Sequence, residues 1–201
     1  MKSVLLLPGK PTRERYENPE LPKPHEANWF PRIRDALAMR AIVTGVAVFP
    51  RPYDPIYEDW KEVVEMYGTD TDMSVVGHSA GAEFALRWLS ENKTIRLRQL
   101  ILVAPWTDAS RKYGDFSDYD LDLTLPNRIG RISIFHSTDD SDAIKSNVAY
   151  LKDALPAAHY KEFTKHGHFM IGNNMESAEF PELLEELLQD HISTDYTGVR
   201  L

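Results

Sequence analysis

The chain has 201 residues, 31 acidic and 23 basic side chains, and a formal net charge of −8. That balance argues against a general nucleic-acid binder, because neutralising phosphates needs a basic surface. The absence of cysteine removes disulfides, thiolate catalysis and Cys-ligated metals, and fits a cytoplasmic location.

Length suits one domain, residues 1–201, with 193–201 as a tail. No apolar run approaches the ~20 residues of a membrane span, so no membrane partner is expected.

Val4 to Leu7 is a continuous apolar run, as expected of a strand covered on both faces. It ends at Pro8-Gly9, which favours a first strand over a signal peptide. Thr12 to Pro24 is polar, proline-rich and aperiodic, and reads as a long loop. Asn28 is the expected cap of a helix running to about Arg40, with Ile33, Leu37 and Met39 partly buried. Ile42 to Phe49 reads as a second strand, stopped by a proline-rich turn. Ile56 to Tyr67 carries Trp60, Val63, Val64 and Tyr67 at helical spacing.

Met73 to Val76 then reads as a short buried strand, and Ala82 to Leu89 as a helix. Gln99 to Ala104 is a further apolar strand. Lys112 to Asn127 is acidic and irregular, read as a solvated loop or as a small flap favouring cationic substrates. Arg131 to His136 is a strand, Asp142 to Leu155 a helix, His159 to Phe163 a last strand, and Ser177 to His191 an amphipathic helix rich in Leu and Glu. This alternation predicts a doubly wound, mostly parallel sheet in three αβα layers.

The most informative stretch joins the third strand to its helix: Gly77-His78-Ser79-Ala80-Gly81. A strand, a Gly-x-Ser-x-Gly turn and a helix form the nucleophile-elbow signature of the α/β-hydrolase fold. The turn lifts Ser79 clear of the backbone, and side chains at Gly77 and Gly81 would collide with the neighbouring strand and helix. A serine hydroxyl needs a base to take its proton, and sites in such sheets lie beyond the carboxyl ends of strands. Later strand ends carry Asp139-Asp140 and His166-Gly167-His168. The chain order Ser, Asp, His is the α/β-hydrolase order.

His168, between Gly167 and Phe169, is favoured over His166 as the base. Spacing leaves Asp139 and Asp140 unseparated. Backbone amides of Ala80 and of Lys10 or Gly9 are candidates for holding an oxyanion, with Lys10 favoured over Gly9. Trp29, Trp106 and Phe169 are candidates for an acyl pocket or for core. His78 is expected to pack or hydrogen-bond within the elbow. Two competing readings are a non-catalytic binding protein on a hydrolase fold and a metal site built from His166, His168, Asp139 and Asp140. Neither a metal nor a cofactor is expected, and the expected partner is a small-molecule ester or amide.

Nearly the whole chain resembles the small, lidless α/β-hydrolases grouped with retinoblastoma-binding protein nine. The matching segments are Val4 to Gly9, Asn28-Trp29-Phe30-Pro31, Tyr57-Glu58-Asp59-Trp60, the elbow, Ser137-Thr138-Asp139-Asp140 and Gly167-His168-Phe169. The resemblance implies a serine hydrolase of small esters or amides, with its triad on Ser79, Asp140 and His168. The chain departs from the family in Gly9-Lys10-Pro11-Thr12, where the glycine-rich loop would lie, and in Ile144, where a proline often stands. The cysteine motif behind the family's name is absent, so retinoblastoma-type binding does not carry over.

Overall fold

A computed structural model describes residues 2–189. Six parallel strands form one sheet in the order β2-β1-β3-β4-β5-β6. They are β1 (Ser3–Leu7), β2 (Val43–Val46), β3 (Met73–His78), β4 (Gln99–Val103), β5 (Ile132–Ser137) and β6 (His159–Phe163). Every residue of β3, β4 and β5 is buried, the physical reason for their apolar runs. The period of two divides β1 between two cores: Leu5 and Leu7 face one layer, Val4 and Leu6 the other.

Helices cover both faces. Helices α3 (Tyr57–Glu65) and α4 (Ala80–Glu91) pack Trp60, Val64, Phe84 and Trp88 onto the first face. Helices α2 (Phe30–Ala38) and α6 (Pro181–Leu188) pack Ile33, Leu37, Leu183 and Leu187 onto the second. Helix α5 (Asp142–Ala154) gives Val148 to the second core and Leu151 to the first. The fold is that of an α/β-hydrolase. After β1 the chain adds β2 on one side, then crosses to add β3 on the other. That switch opens a crevice beyond the carboxyl ends of β1 and β3.

Several boundaries and roles differ from expectation. The loop from Thr12 to Pro24 contains a short helix, α1 (Arg13–Glu17), capped by the Thr12 hydroxyl on the Arg15 amide at 3.2 Å. Asn28 does not cap α2. Trp29 stands at that position, and Asn28 has φ of 54° with its side chain turned elsewhere. Met39 lies past the end of α2 and is exposed, because the helix stops before its stripe returns to the core. Strand β2 ends at Val46 rather than Phe49. Helix α6 begins at Pro181, four residues later than read; His191 and the 193–201 tail lie outside the described residues.

Lys112 to Asn127 is a tied-down loop rather than a free acidic flap. Arg87 pairs with Asp115, Arg111 with Asp118, and buried Arg128 with buried Asp122 at 3.1 Å. Of its aspartates only Asp122 is buried; Asp115, Asp118 and Asp120 are exposed to solvent, as the solvated-loop reading expects.

Candidate active site

Ser79 sits between the last residue of β3 and the first of α4, with φ 55° and ψ −120°. This is sparsely populated backbone for a residue with a Cβ, and its surroundings hold it there. The Ser79 amide donates to the Val103 carbonyl at 2.9 Å, and the Trp106 amide donates to the Ser79 carbonyl at 3.3 Å. Both flanking glycines are required by space. A Cβ on Gly77 would stand 2.5 Å from Ala82 Cα, and one on Gly81 would stand 2.2 Å from the Leu7 carbonyl oxygen.

His168 lies in the loop after β6. Its Nε2 is 2.8 Å from Ser79 Oγ, and its Nδ1 is 2.8 Å from Asp140 Oδ2. Asp140 follows β5, is buried, and also accepts from the Ser141 amide at 2.6 Å. Three strand ends thus bring Ser79, His168 and Asp140 into one hydrogen-bonded chain.

The neighbouring aspartate does something different. Asp139 Oδ1 accepts from the Ser137 hydroxyl and from the Gly167 amide at 3.0 Å, while Oδ2 accepts from Asn174 Nδ2 at 2.8 Å. These bonds, the one from Ser137 foremost, hold its carboxyl down at about 2. Asp139 therefore ties the loop carrying His168 to the end of β5. Gly167 is needed here for two reasons: its φ is +48°, and a Cβ would stand 2.2 Å from the Asn173 carbonyl oxygen.

His78 is buried, and its Nε2 donates to the His168 carbonyl at 2.8 Å. Burial, reinforced by the nearby His168, pushes its pKa down to about 3, so it stays neutral and acts as a strut. His166 is half-buried, its ring centroid 4.5 Å from that of Phe163. Among the described residues, no group of three or more His, Asp or Glu side chains forms a metal-holding cluster.

The aromatic pocket reading needs correction. Trp29 and Phe169 are fully buried in the second core and do not line the cleft at Ser79. Instead the Trp29 indole donates to the Phe169 carbonyl at 3.2 Å, and Asn28 Oδ1 accepts from the Ile171 amide at 3.1 Å. Trp106 is half-buried, its ring centroid 6.1 Å from that of Tyr113 and 5.9 Å from Lys10 Nζ, so it stands beside the cleft rather than in its lining. Sequence reading missed several lining residues, among them Arg15, Asn28, Phe30 and Met170, which line the cleft with Gly9, Lys10, Ser79 and His168. The cavity itself is small, about 60 Å³. A Cβ on Gly9 would stand 2.8 Å from Ser79 Cβ, so the backbone after β1 runs directly beside the serine.

A parallel sheet with a strained serine at a strand-to-helix turn, facing a histidine, places the protein among the α/β-hydrolases. The chain belongs to the serine hydrolase family, whose shared pattern matches residues 19–179. No curated protein matches it. Among solved structures, the ydeN gene product of B. subtilis is similar at 21% identity and a TM-score of 0.75, covering 93% of this chain and 97% of that one. A putative YdeN-like hydrolase from Pectobacterium atrosepticum is 15% identical with a TM-score of 0.60, covering 91% of each chain. An esterase from Exiguobacterium antarcticum is 14% identical with a TM-score of 0.58, covering 93% and 90%. At these identities the likeness establishes the fold. No helix of the described residues is long and apolar enough to cross a membrane.

Proposed function

We propose that this chain is a serine hydrolase of small carboxylic esters or amides, working through an acyl-enzyme. The observation that carries the proposal is His168 bridging Ser79 and Asp140 at 2.8 Å on either side. In this reading Ser79 Oγ attacks the substrate carbonyl while His168 Nε2 takes its proton. Asp140 fixes the His168 tautomer and stabilises the imidazolium. The tetrahedral oxyanion is received by the amides of Ala80 and of Lys10 or Gly9. Ala80 is the first residue of α4, and a helix leaves its first amides without internal partners. His168 returns the proton to the leaving alcohol or amine. It then activates water to release the acid and restore Ser79.

The small cavity favours a short acyl group, since about 10–15 Å³ of such space holds one water-sized group. Placement within the retinoblastoma-binding protein nine-like hydrolases, a single-domain organisation and a cytoplasmic location belong to the same proposal. Its support is the segment set Asn28-Trp29-Phe30, Ser137 to Asp140 and Gly167 to Phe169, together with the cysteine-free composition.

The test is labelling by a fluorophosphonate probe. Wild type is expected to take up the label on Ser79, and Ser79→Ala to take up none. A wild type that leaves Ser79 unlabelled would favour a non-catalytic binding protein instead.

A further inference from the structure

The cleft contradicts the protein's overall charge. The chain carries a net −8, yet among the described residues lining the cleft the charged side chains are Lys10 and Arg15, with no carboxylate. Both are half-buried, and neither forms an ion pair among the described residues. Lys10 Nζ donates to the Tyr113 hydroxyl at 2.9 Å and stands 4.4 Å from that ring's centroid. These contacts hold the ammonium in place without neutralising it. Lys112 Nζ also lies 5.5 Å from the Tyr113 ring centroid. Together the two lysines draw the Tyr113 phenol below its ordinary value, the Lys10 hydrogen bond foremost.

Arg15 is positioned from the backbone, because Thr12 caps the short helix that carries it. Phe30 and Met170 are the large apolar side chains of the same lining, Phe30 reaching it from the second core. Half-buried cations with no carboxylate within ion-pair distance favour an anion, and charge-assisted bonds are the stronger kind; Asp54 shares only the neighbouring cavity with Lys10. Both residues precede the stretch 19–179 shared with the family.

We infer that Lys10 and Arg15 form an anion subsite, selecting substrates that carry a negative group, such as a carboxylate, a few bonds from the scissile carbonyl. This rests on the proposed hydrolytic use of Ser79.

Two matched pairs test it: 4-acetoxybenzoate against its methyl ester, and monomethyl glutarate against dimethyl glutarate. Wild type should prefer the anion by about tenfold or more in kcat/KM in at least one pair, the scale of one charge-assisted bond. The preference should shrink several-fold in Arg15→Met and in Lys10→Met, and weaken in about 0.5 M salt. No preference in either pair, or one that survives both substitutions, would overturn the subsite. Calorimetric binding of the same pairs to Ser79→Ala reads the subsite without chemistry: tighter binding of an anion, lost in Arg15→Met, supports it, and equal binding overturns it. Turnover that persists in Ser79→Ala strikes at the triad instead.

Discussion

The indole nitrogen of Trp29 and the carbonyl of Phe169, 140 positions apart in the chain, are joined by a buried hydrogen bond of 3.2 Å. That bond fixes the residue directly after His168. Two further bonds anchor the same loop, its Gly167 amide donating to Asp139 and its Ile171 amide to Asn28. Two of these three restraints on the histidine loop come from the opposite end of the sequence.

Trp29→Phe keeps most of the apolar bulk and leaves the carbonyl unpaired. The expected loss is about 1–3 kcal/mol of stability, seen as a lower thermal midpoint. Catalytic efficiency should fall with it, because His168 loses a restraint. An unchanged midpoint and unchanged kcat/KM would show that the bond contributes nothing.

The two adjacent aspartates should separate cleanly. Asp140→Ala removes the partner of His168 Nδ1 and is expected to lower kcat by about 10³–10⁴. Asp139→Asn keeps one acceptor for the Gly167 amide and should cost far less activity. Steady-state kinetics of both variants check this, and equal losses would contradict the assignment.

Glu83 offers a pH test away from the serine. It is buried on α4, its carboxylate accepting from the Thr107 hydroxyl at 3.0 Å. Burial outweighs the hydrogen bonds and pushes its pKa up to about 7. The folded state therefore holds this proton more tightly than the unfolded chain, and its stabilising contribution is full below about pH 4.5. As pH rises through about 7 that contribution is lost, a change of about 3 kcal/mol. Urea denaturation at about pH 5 and about pH 8 should show a smaller decline in Glu83→Gln than in wild type. Identical declines would place the titration elsewhere.

Arg128 is the clearest structural ion. It pairs with Asp122 at 3.1 Å and donates to the carbonyls of Ile95, at 2.8 Å, and Leu89. Both side chains of the pair are buried. Asp122→Ala should therefore cost about 3–5 kcal/mol, because it leaves a buried guanidinium without its carboxylate. Chemical denaturation measures this directly, and a loss below about 1 kcal/mol would mean water replaces the partner.

Much of this was legible because parallel strands buried on both faces write continuous apolar runs. Val4 to Leu7 and Gln99 to Val103 are such runs. The elbow was legible because Gly77 and Gly81 answer to steric limits that admit no side chain. What was hidden depends on tertiary direction. Asp139 and Asp140 lie together in the turn after β5 and differ in role only through the partners that the fold brings to each, the Gly167 amide for one and His168 Nδ1 for the other. Trp29 and Phe169 are aromatic residues near a site, and only the packed second core shows that they brace it rather than line it. Helix α1 is masked by the proline-rich stretch around it, although the Thr12 cap and the Arg13–Glu17 pair at four-residue spacing are its sequence signals.

The most direct measurement is hydrolysis of p-nitrophenyl acetate and butyrate by wild type and Ser79→Ala at matched folding. Turnover by wild type, with the short acetate favoured and activity abolished in the variant, is the predicted result. Wild-type rates retained in Ser79→Ala would contradict the account, because the hydrogen-bonded chain from Ser79 through His168 to Asp140 would then have no part in the chemistry.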